Sequence, residues 1–249
     1  MKRYLPNPKV DVSKATLIKL SLWGGANAKT YSLTQFEAIA QGNGVPTGQL
    51  VYEVDGGHTL TLNDLAETSF LAKITSTGFA KAIRGQTKAV PYIKPWANNP
   101  SPYYPDFIIY TYEGQIAFVE LKSILGMCQD ENLAKFSYLY AYCRKNGFLC
   151  GFFDSEGFSI ADYLALPEKE DPAIVASFYR KLSDLGGFNN AALDGLLKEF
   201  PKRKPHEIRR LVSALVLADP TLSNRYCHDS PYLLNAVSVP SALPFKVFA

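Results

Sequence analysis

The sequence predicts an α/β fold with a mixed sheet, followed by an all-α unit. Between residues 63 and 154, helical spacings of apolar residues alternate with short apolar runs of strand length, in the order helix, strand, strand, strand, helix, strand. Beyond residue 172, apolar residues recur only at helical spacing. The chain has 249 residues, of which 47% are hydrophobic, so it can bury a substantial core, and its length suits one large domain or one with a smaller companion.

Changes in composition divide the chain into four segments. Residues 1–57 are rich in Gly, Pro, Thr and Lys, and we expect them to form a basic amino-terminal arm that packs on the core. Residues 58–164 carry the α/β pattern. The charged, proline-bounded stretch at residues 165–172 predicts a linker, and residues 173–249 predict a helical carboxy-terminal domain.

The first core element is predicted to be a helix that begins after Asn63. Asn63 is a favourable N-cap residue, and acidic residues follow it in the first turn. Apolar residues then recur at helical spacing, at Leu65, Phe70, Leu71 and Ile74. The next segment, TKAVPYIKPW, is predicted to be a short strand, whose prolines favour a sheet edge or a bulge.

A β-hairpin, a helix and a strand complete the predicted core. The runs DFIIYTY and QIAFVELKS flank the turn residues Glu113 and Gly114, which is typical of a hairpin. The segment DENLAKFSYLYAYCRKNG has acids at its start, an apolar stripe and a terminal Gly147, and it predicts a helix. FLCGFFD follows directly, so we expect it to be a buried strand.

The predicted hairpin brings three charged residues together at one end. If residues 112–114 form a three-residue loop, Asp106 lies opposite Glu120, and strand alternation places Lys122 on the same face as Glu120. Two such carboxylates suit Mg²⁺, which binds few protein carboxylates together with waters and a substrate phosphate. Lys122 could then orient or deprotonate an attacking water, which predicts phosphodiester hydrolysis. The alternative is a solvated strand end with a simple ion pair.

Basic residues of the carboxy-terminal segment predict contact with DNA. Three helices are expected there, in AIVASFYRKLSDLG, NNAALDGLLKEF and PHEIRRLVSALVLA, and the last two (189–199 and 205–218) could pair as a helix-turn-helix. Phosphate contacts are expected from Lys202, Arg203, Lys204, Arg209, Arg210 and, on the helix after the hairpin, Lys135. The alternative is a docking surface for a protein partner, formed by the apolar run LVSALVLA.

The charged residues of the hairpin also match a known sequence pattern. Pro105-Asp106 followed by Glu120-Leu121-Lys122 resembles the PD-(D/E)XK nuclease superfamily. The predicted element order looks like the restriction-endonuclease-like αβββαβ core of that superfamily. The resemblance implies an Mg²⁺-dependent DNA endonuclease, for which Mn²⁺ serves as a substitute.

The resemblance also implies roles for individual residues. An acid on the first helix often completes such sites, and Glu67 occupies that position here. The implied metal ligands are the side chains of Glu67, Asp106 and Glu120 and the backbone carbonyl of Leu121. The implied catalytic set is Glu67, Asp106, Glu120 and Lys122, with the lysine assisting the nucleophile.

A closer resemblance is to the TnsA-type endonuclease subunit of heteromeric transposases. It rests on HTLTLNDLAETSFLAKI, AIRGQTKAVPYI and YYPDF, and it spans most of residues 45–200. It implies nicking of the 5′ ends at a transposon boundary, together with a separate transposase subunit and a regulatory ATPase as partners. Stand-alone restriction- or repair-type endonucleases share the core, and a non-catalytic DNA-binding or scaffold protein on the same fold is a further alternative.

Composition argues against several other classes. The amino terminus, MKRYLPNPKVDV, has no apolar signal segment, and the longest apolar runs are shorter than the ~20 residues of a membrane helix. We therefore expect a cytoplasmic protein without a membrane partner. The four cysteines contain no CxxC pair, so neither a zinc site nor a disulfide framework is indicated.

Overall fold

The computed structural model describes residues 28–41, 50–54, 58–62, 65–86, 88–93, 100–185, 188–219, 222–224 and 234–236. The chain divides into two compact units. The first takes its residues from Met1–Ser123 and Leu133–Ala161, and the second from Ile124–Asn132 and Asp162–Ala249. Residues 124–132, which were expected within the core, therefore group with the second unit.

The elements up to residue 154 follow the alternating pattern of an α/β chain. In chain order they are α1 (Leu33–Ala40), β1 (Leu50–Val54), β2 (His58–Leu62), α2 (Leu65–Ser76), β3 (Ala80–Gly85), β4 (Val90–Ile93), β5 (Pro100–Tyr103), β6 (Phe107–Thr111), β7 (Ile116–Lys122), a 3₁₀ turn (Gly126–Cys128), α3 (Asp130–Asn146) and β8 (Leu149–Asp154).

The main sheet of the first unit has the strand order β3-β6-β7-β8. β3 and β7 pair with β6 in antiparallel fashion, and β8 pairs with β7 in parallel. The sheet is therefore mixed, as the sequence predicts. The parallel pair follows from the crossover through α3, because two neighbouring parallel strands cannot be joined by a tight turn.

Each face of the sheet is covered by a helix. On one face, Phe70 of α2 packs with Phe107 and Phe153 at ring-centroid distances of 6.0 and 5.3 Å. Val119 and Leu121 of β7 belong to the same buried cluster. On the other face, Phe136 of α3 contacts Phe152 of β8 at 4.4 Å. Because side chains alternate along a strand, Glu120, which lies between Val119 and Leu121, points away from α2.

Most of the predicted core elements are confirmed, but the first strand is not where the sequence placed it. The helices α2 and α3, the β6–β7 hairpin and the strand β8 lie at the predicted positions. The predicted strand in TKAVPYIKPW forms β4, which pairs only with β5 in a separate two-stranded sheet. The first strand of the main sheet is β3 instead. Its sequence, AKAIRG, shows no clear strand pattern because Ile83 is its only large apolar residue. The predicted N-cap, Asn63, lies outside the described residues.

The described part of the amino-terminal arm is more regular than expected. Ser32 and Gln35 form a reciprocal capping box that starts α1, and β1 and β2 form an antiparallel hairpin. Phe36 of α1 is fully buried and stacks on Tyr110 of β6 at 5.4 Å. The extended residues before α1 bond to two glycines. Lys29 N–H donates to the carbonyl of Gly147 at 2.9 Å, and Tyr31 N–H donates to that of Gly114 at 2.7 Å.

The second unit is largely helical, as the sequence predicts. Its elements are α4 (Ile160–Lys169, whose first two residues belong to the first unit), α5 (Pro172–Leu185), α6 (Asn190–Glu199), α7 (Pro205–Ala218), β9 (Leu222–Asn224) and β10 (Leu234–Ala236). Residues 165–169, which were predicted to lie in the linker, are the second half of α4. The fully buried Tyr163 anchors this helix, and its hydroxyl approaches the carbonyl of Ile124 at 3.5 Å. Pro167 is tolerated near the helix end. None of the described helices is long and apolar enough to span a membrane.

Candidate metal and catalytic site

The β6–β7 hairpin has the register that the sequence predicts. Gly114 has a φ of +76°, and the N–H of Gly114 closes the loop on the carbonyl of Thr111 at 3.0 Å. Residues 112–114 thus form the three-residue loop, with glycine in the left-handed position. At the other end of the hairpin Phe107 pairs with Val119, and Asp106 follows opposite Glu120.

Asp106 and Glu120 are held by backbone groups of the opposite strand. The N–H of Leu121 donates to Oδ2 of Asp106 at 2.7 Å, and the N–H of Asp106 donates to Oε2 of Glu120 at 3.3 Å. These reciprocal bonds fix both carboxylates at one edge of the sheet. The second oxygen of Asp106, Oδ1, has no hydrogen-bond partner in the described part of the chain.

Lys122 lies on the same side as Glu120, as strand alternation predicts. Its ammonium forms an ion pair with Oε1 of Glu120 and donates a 2.8 Å hydrogen bond to the carbonyl of Leu121. Glu120 is only 2% exposed, whereas the Lys122 side chain is 21% exposed. The lysine therefore sits between two of the groups that the sequence nominated as metal ligands, and it can still reach solvent.

Glu67 lies in the first turn of α2 and is 6% exposed. Its negative charge acts on the pKa of both Asp106 and Lys122, so the structure brings all four predicted catalytic residues into electrostatic reach of one another. Hydrogen bonds and an ion pair join Asp106, Glu120, Leu121 and Lys122 directly to one another. The described residues contain no group of three or more His, Cys, Asp or Glu side chains that could hold a metal ion.

The charged groups of the site shift the pKa values of Asp106 and Lys122. Burial raises the pKa of the Asp106 carboxyl well above its usual value, and the neighbouring Glu120 adds to the rise. The Lys122 charge and the Leu121 N–H lower the pKa of Asp106, whereas the Glu67 charge raises it further. Burial also disfavours the charge on Lys122, but Glu120, Asp106 and Glu67 outweigh it and raise the lysine pKa to about 12. Lys122 is therefore a cation at neutral pH.

Three residues at the same sheet edge were not among the predicted site residues. Tyr103, at the end of β5, is buried, and the charges of Glu120 and Asp106 reach its hydroxyl. Gln86 follows β3 with a φ of +33°, and its N–H donates to the carbonyl of Asp106 at 3.1 Å. Such backbone strain in a non-glycine residue is typical of functional sites. Asp154 pairs with Lys122 across β7 and β8, but its Oδ1 accepts bonds from its own turn.

The residues predicted to contact DNA differ in their exposure and in their partners. Lys202 and Lys204 are exposed, as is Arg203, which pairs with Glu170. Arg210 is 6% exposed and therefore buried. Lys135 of α3 lies over the ring of Tyr92, with its Nζ 5.7 Å from the ring centroid.

The last helix is also more buried than the sequence indicated. Residues 211–217 of α7 are all buried, so the run LVSALVLA belongs to the core and offers no docking surface. The burial of Arg210 follows from the same packing, which leaves this helix with no exposed side beyond its first turns. Nε of Arg209 is buried without a hydrogen-bond partner among the described residues. Arg210 is therefore not available for the predicted phosphate contact, whereas Arg209 is half-buried.

Comparison of the chain with protein-family models and with curated proteins finds no match. The geometry of the site must therefore carry the functional argument. The available ligands are carboxylate and carbonyl oxygens, which are the ligands that Mg²⁺ prefers. Among the described residues, Asp106 has one oxygen without a hydrogen-bond partner, the Lys122 ammonium pairs with Glu120, and the buried Tyr103 hydroxyl beside Glu120 makes no hydrogen bond of acceptable geometry. This donor set fits a hydrated divalent cation, provided that Lys122 releases Glu120 and the Leu121 carbonyl.

Proposed function

We propose that this protein is a metal-dependent DNA endonuclease of the PD-(D/E)XK type. The observation that carries the proposal is the reciprocal pairing of Asp106 and Glu120 with each other's strand, with Lys122 alongside. The order α2, β3, β6, β7, α3, β8 supports it, because αβββαβ is the order of that core. The β4–β5 hairpin is then an insertion between the first two strands.

Asp106, Glu120 and the Leu121 carbonyl would hold the metal ion, with Glu67 assisting from α2. When bound, Mg²⁺ or Mn²⁺ would polarise the phosphate and lower the pKa of a bound water. The Asp106 carboxylate is well oriented for this role because the Leu121 N–H fixes one of its oxygens and leaves the other open. Because the Asp106 carboxylate is already held in position, binding of a metal ion would not incur the entropic cost of ordering it.

Lys122 is suited to orient the attacking water rather than to take its proton. With a pKa raised to about 12, its amine stays protonated at neutral pH and can donate hydrogen bonds but not accept a proton. The same ammonium is placed to contact a phosphate oxygen once it leaves Glu120. Hydrolysis of the phosphodiester would leave a 5′-phosphate and a 3′-hydroxyl.

Within this class, the TnsA-type transposase subunit remains our specific proposal. The helical second unit is consistent with it, and the turn between α6 and α7 would present Lys202, Arg203 and Lys204 to DNA phosphates. The buried α7 would not enter a groove as the recognition helix of a helix-turn-helix does. A transposase subunit and a regulatory ATPase would then be the protein partners.

The direct test is nicking of supercoiled DNA in the presence of Mg²⁺ or Mn²⁺. Wild-type protein should nick, while Asp106→Ala and Lys122→Ala should lose at least ~100-fold in rate. A matched control is Glu113→Ala, which removes an exposed acid at the far end of the same hairpin and should leave the rate unchanged. Unchanged nicking by Asp106→Ala would exclude this site as the origin of the activity.

A second measurement is needed because a transposase subunit can be silent without its partner. Mn²⁺ should raise the melting temperature of the wild-type protein, and Asp106→Asn should abolish this rise. Sequence-specific cleavage by the isolated chain would favour the stand-alone endonuclease. No stabilisation by Mn²⁺ and no nicking would favour a non-catalytic DNA-binding or scaffold protein.

A further inference from the structure

The hydroxyl of Tyr103 is a buried polar group that makes no well-aligned hydrogen bond with the described residues. Tyr103 is 6% exposed. The Glu120 carboxylate lies within hydrogen-bond range of its hydroxyl, but the two groups do not meet in an acceptable hydrogen-bond geometry. A buried hydroxyl without a partner is destabilising, whereas a phenylalanine at the same position would not be. Such groups are rare in folded proteins and call for an explanation in each case.

Loose packing does not explain the missing partner. The Tyr103 ring contacts the ring of Tyr92 edge to face, at a centroid distance of 5.9 Å. Tyr92 in turn contacts Tyr138 of α3 in the same way at 6.4 Å, and Lys135 lies over its ring. The β4–β5 hairpin is thereby packed against α3, and the position of the Tyr103 ring is defined. The hydroxyl is therefore held in place next to the carboxylates.

The chemistry of the surroundings defines what the hydroxyl can bind. A tyrosine hydroxyl is neutral at physiological pH, so Tyr103 can donate one hydrogen bond to an acceptor beside the carboxylates. The nearby Asp106 has an unbonded oxygen, which is a potential cation ligand. A ligand that satisfies both groups must combine a positive centre with an oxygen acceptor. A metal ion that carries a water or a phosphate oxygen has this combination.

We propose that Tyr103 is a ligand-contacting residue of the site, whose hydroxyl donates a hydrogen bond to an oxygen atom carried by the bound metal ion. The inference rests on the proposed metal site and extends it to a residue on the β4–β5 hairpin. This hairpin would then have a function in the site, since it places the donor close to the carboxylates of the main sheet. The oxygen atom is either a metal-bound water or a phosphate oxygen of the nucleic acid.

The test compares Tyr103→Phe with Tyr110→Phe in the full-length protein. The Tyr110 hydroxyl donates a 2.8 Å hydrogen bond to the carbonyl of Tyr31. The same substitution at position 110 therefore removes a hydroxyl that has a hydrogen-bond partner. In the metal-free protein, Tyr103→Phe should melt at the same or a higher temperature, whereas Tyr110→Phe should melt roughly 2–4 °C lower. A lower melting temperature for Tyr103→Phe would show that the hydroxyl has a structural partner, which overturns the inference.

Titration with Mn²⁺ provides the second readout. Tyr103→Phe should bind Mn²⁺ about 3- to 10-fold more weakly than wild type, and Tyr110→Phe should bind it equally well. Weaker binding of Mn²⁺ alone identifies a metal-bound water as the acceptor. Weaker binding only when a short DNA duplex is present identifies a phosphate oxygen. Equal affinity in both titrations overturns the inference.

Asp106→Asn separates failure of this inference from failure of the proposed function. If wild-type protein binds Mn²⁺ and Asp106→Asn does not, the metal site is established, and only the behaviour of Tyr103→Phe decides the role of Tyr103. If wild-type protein binds no Mn²⁺, the metal site and the role of Tyr103 are both rejected.

Discussion

Leu121 donates its backbone N–H to the carboxylate of Asp106 on the neighbouring strand, at 2.7 Å. This bond stabilises the ionised carboxylate, yet burial and the neighbouring acids still raise the pKa of Asp106 well above its usual value. The site therefore holds a carboxyl group whose ionised form is disfavoured by burial and by the acids around it. Ligand-binding sites commonly give up stability for function in this way.

Asp106→Asn should stabilise the metal-free protein at neutral pH. Asparagine keeps an oxygen for the Leu121 N–H and removes the repelled charge, so we expect an increase of about 1 kcal/mol, or roughly 2–4 °C in melting temperature. Thermal unfolding in EDTA measures the change. The control is Asp154→Asn, since Oδ1 of Asp154 accepts two bonds from its own turn and the charge supports them. Stabilisation by both substitutions would argue for a general charge effect.

The stability difference between wild type and Asp106→Asn should depend on pH. The folded-state pKa of Asp106 is raised, so its contribution to stability is fully present below the unfolded pKa of about 3.9 and is lost as pH rises through the folded pKa. The two proteins should be about equally stable near pH 4, and the wild type should become the less stable one toward neutral pH. Denaturant titrations between pH 4 and 8 test this. A constant difference would mean that Asp106 does not titrate in this range.

Lys122→Met should destabilise the metal-free protein and increase its response to metal. The substitution leaves the buried Glu120 carboxylate without its cation, and we expect the free energy of unfolding to fall by about 2–4 kcal/mol. The loss should be smaller than for a fully buried pair because the lysine side chain is 21% exposed. A metal ion would no longer compete with the lysine for Glu120 and the Leu121 carbonyl. Mn²⁺ should therefore raise the melting temperature of Lys122→Met more than that of wild type, even though nicking is lost.

The control for this prediction is Lys145→Met, at an exposed position near the end of α3. It should change neither the stability of the metal-free protein nor the response to Mn²⁺. If Lys122→Met responded to Mn²⁺ no more than Lys145→Met, the lysine would not occupy the cation position.

The basic residues of the second unit should fall into two classes. Replacing the exposed Lys202 and Lys204 by alanine should leave stability unchanged, weaken DNA binding and reduce the slope of log affinity against log salt by about 2. Replacing the buried Arg210 by alanine should instead lower the stability of the protein, by about 2–4 kcal/mol. Melting curves and salt-dependent DNA binding distinguish these effects. A salt slope that the double substitution does not change would remove the turn before α7 from the DNA contacts.

The sequence predicts well where local rules dominate. The β6–β7 hairpin follows from a glycine turn between two apolar runs, and its register places Asp106 opposite Glu120. The strand β3 was missed because Lys81 and Arg84 interrupt its apolar pattern, and its strand character comes from pairing with β6. Tertiary context of this kind cannot be read from one segment alone.

The composition of the site was also only partly predictable. Spacing nominated the charged residues, but the missing partner of the Tyr103 hydroxyl depends on how the β4–β5 hairpin packs against α3. In the same way, the burial of Arg210 depends on the packing of α7, and no local pattern distinguishes it from the exposed Lys204. Side-chain exposure and hydrogen bonding are properties of the assembled units.

The bonds that Lys29 and Tyr31 make to Gly147 and Gly114 have a practical consequence for shortening the chain. They tie one extended stretch to both the loop of the β6–β7 hairpin and the end of α3, and the Tyr31 hydroxyl adds a 2.5 Å bond to the carbonyl of Asn146. A truncated protein that starts before residue 28 keeps these bonds. One that starts after residue 41 loses them, and it also loses Phe36, which stacks on the ring of Tyr110. Proteolytic trimming intended to yield a minimal folded fragment should therefore stop ahead of this stretch.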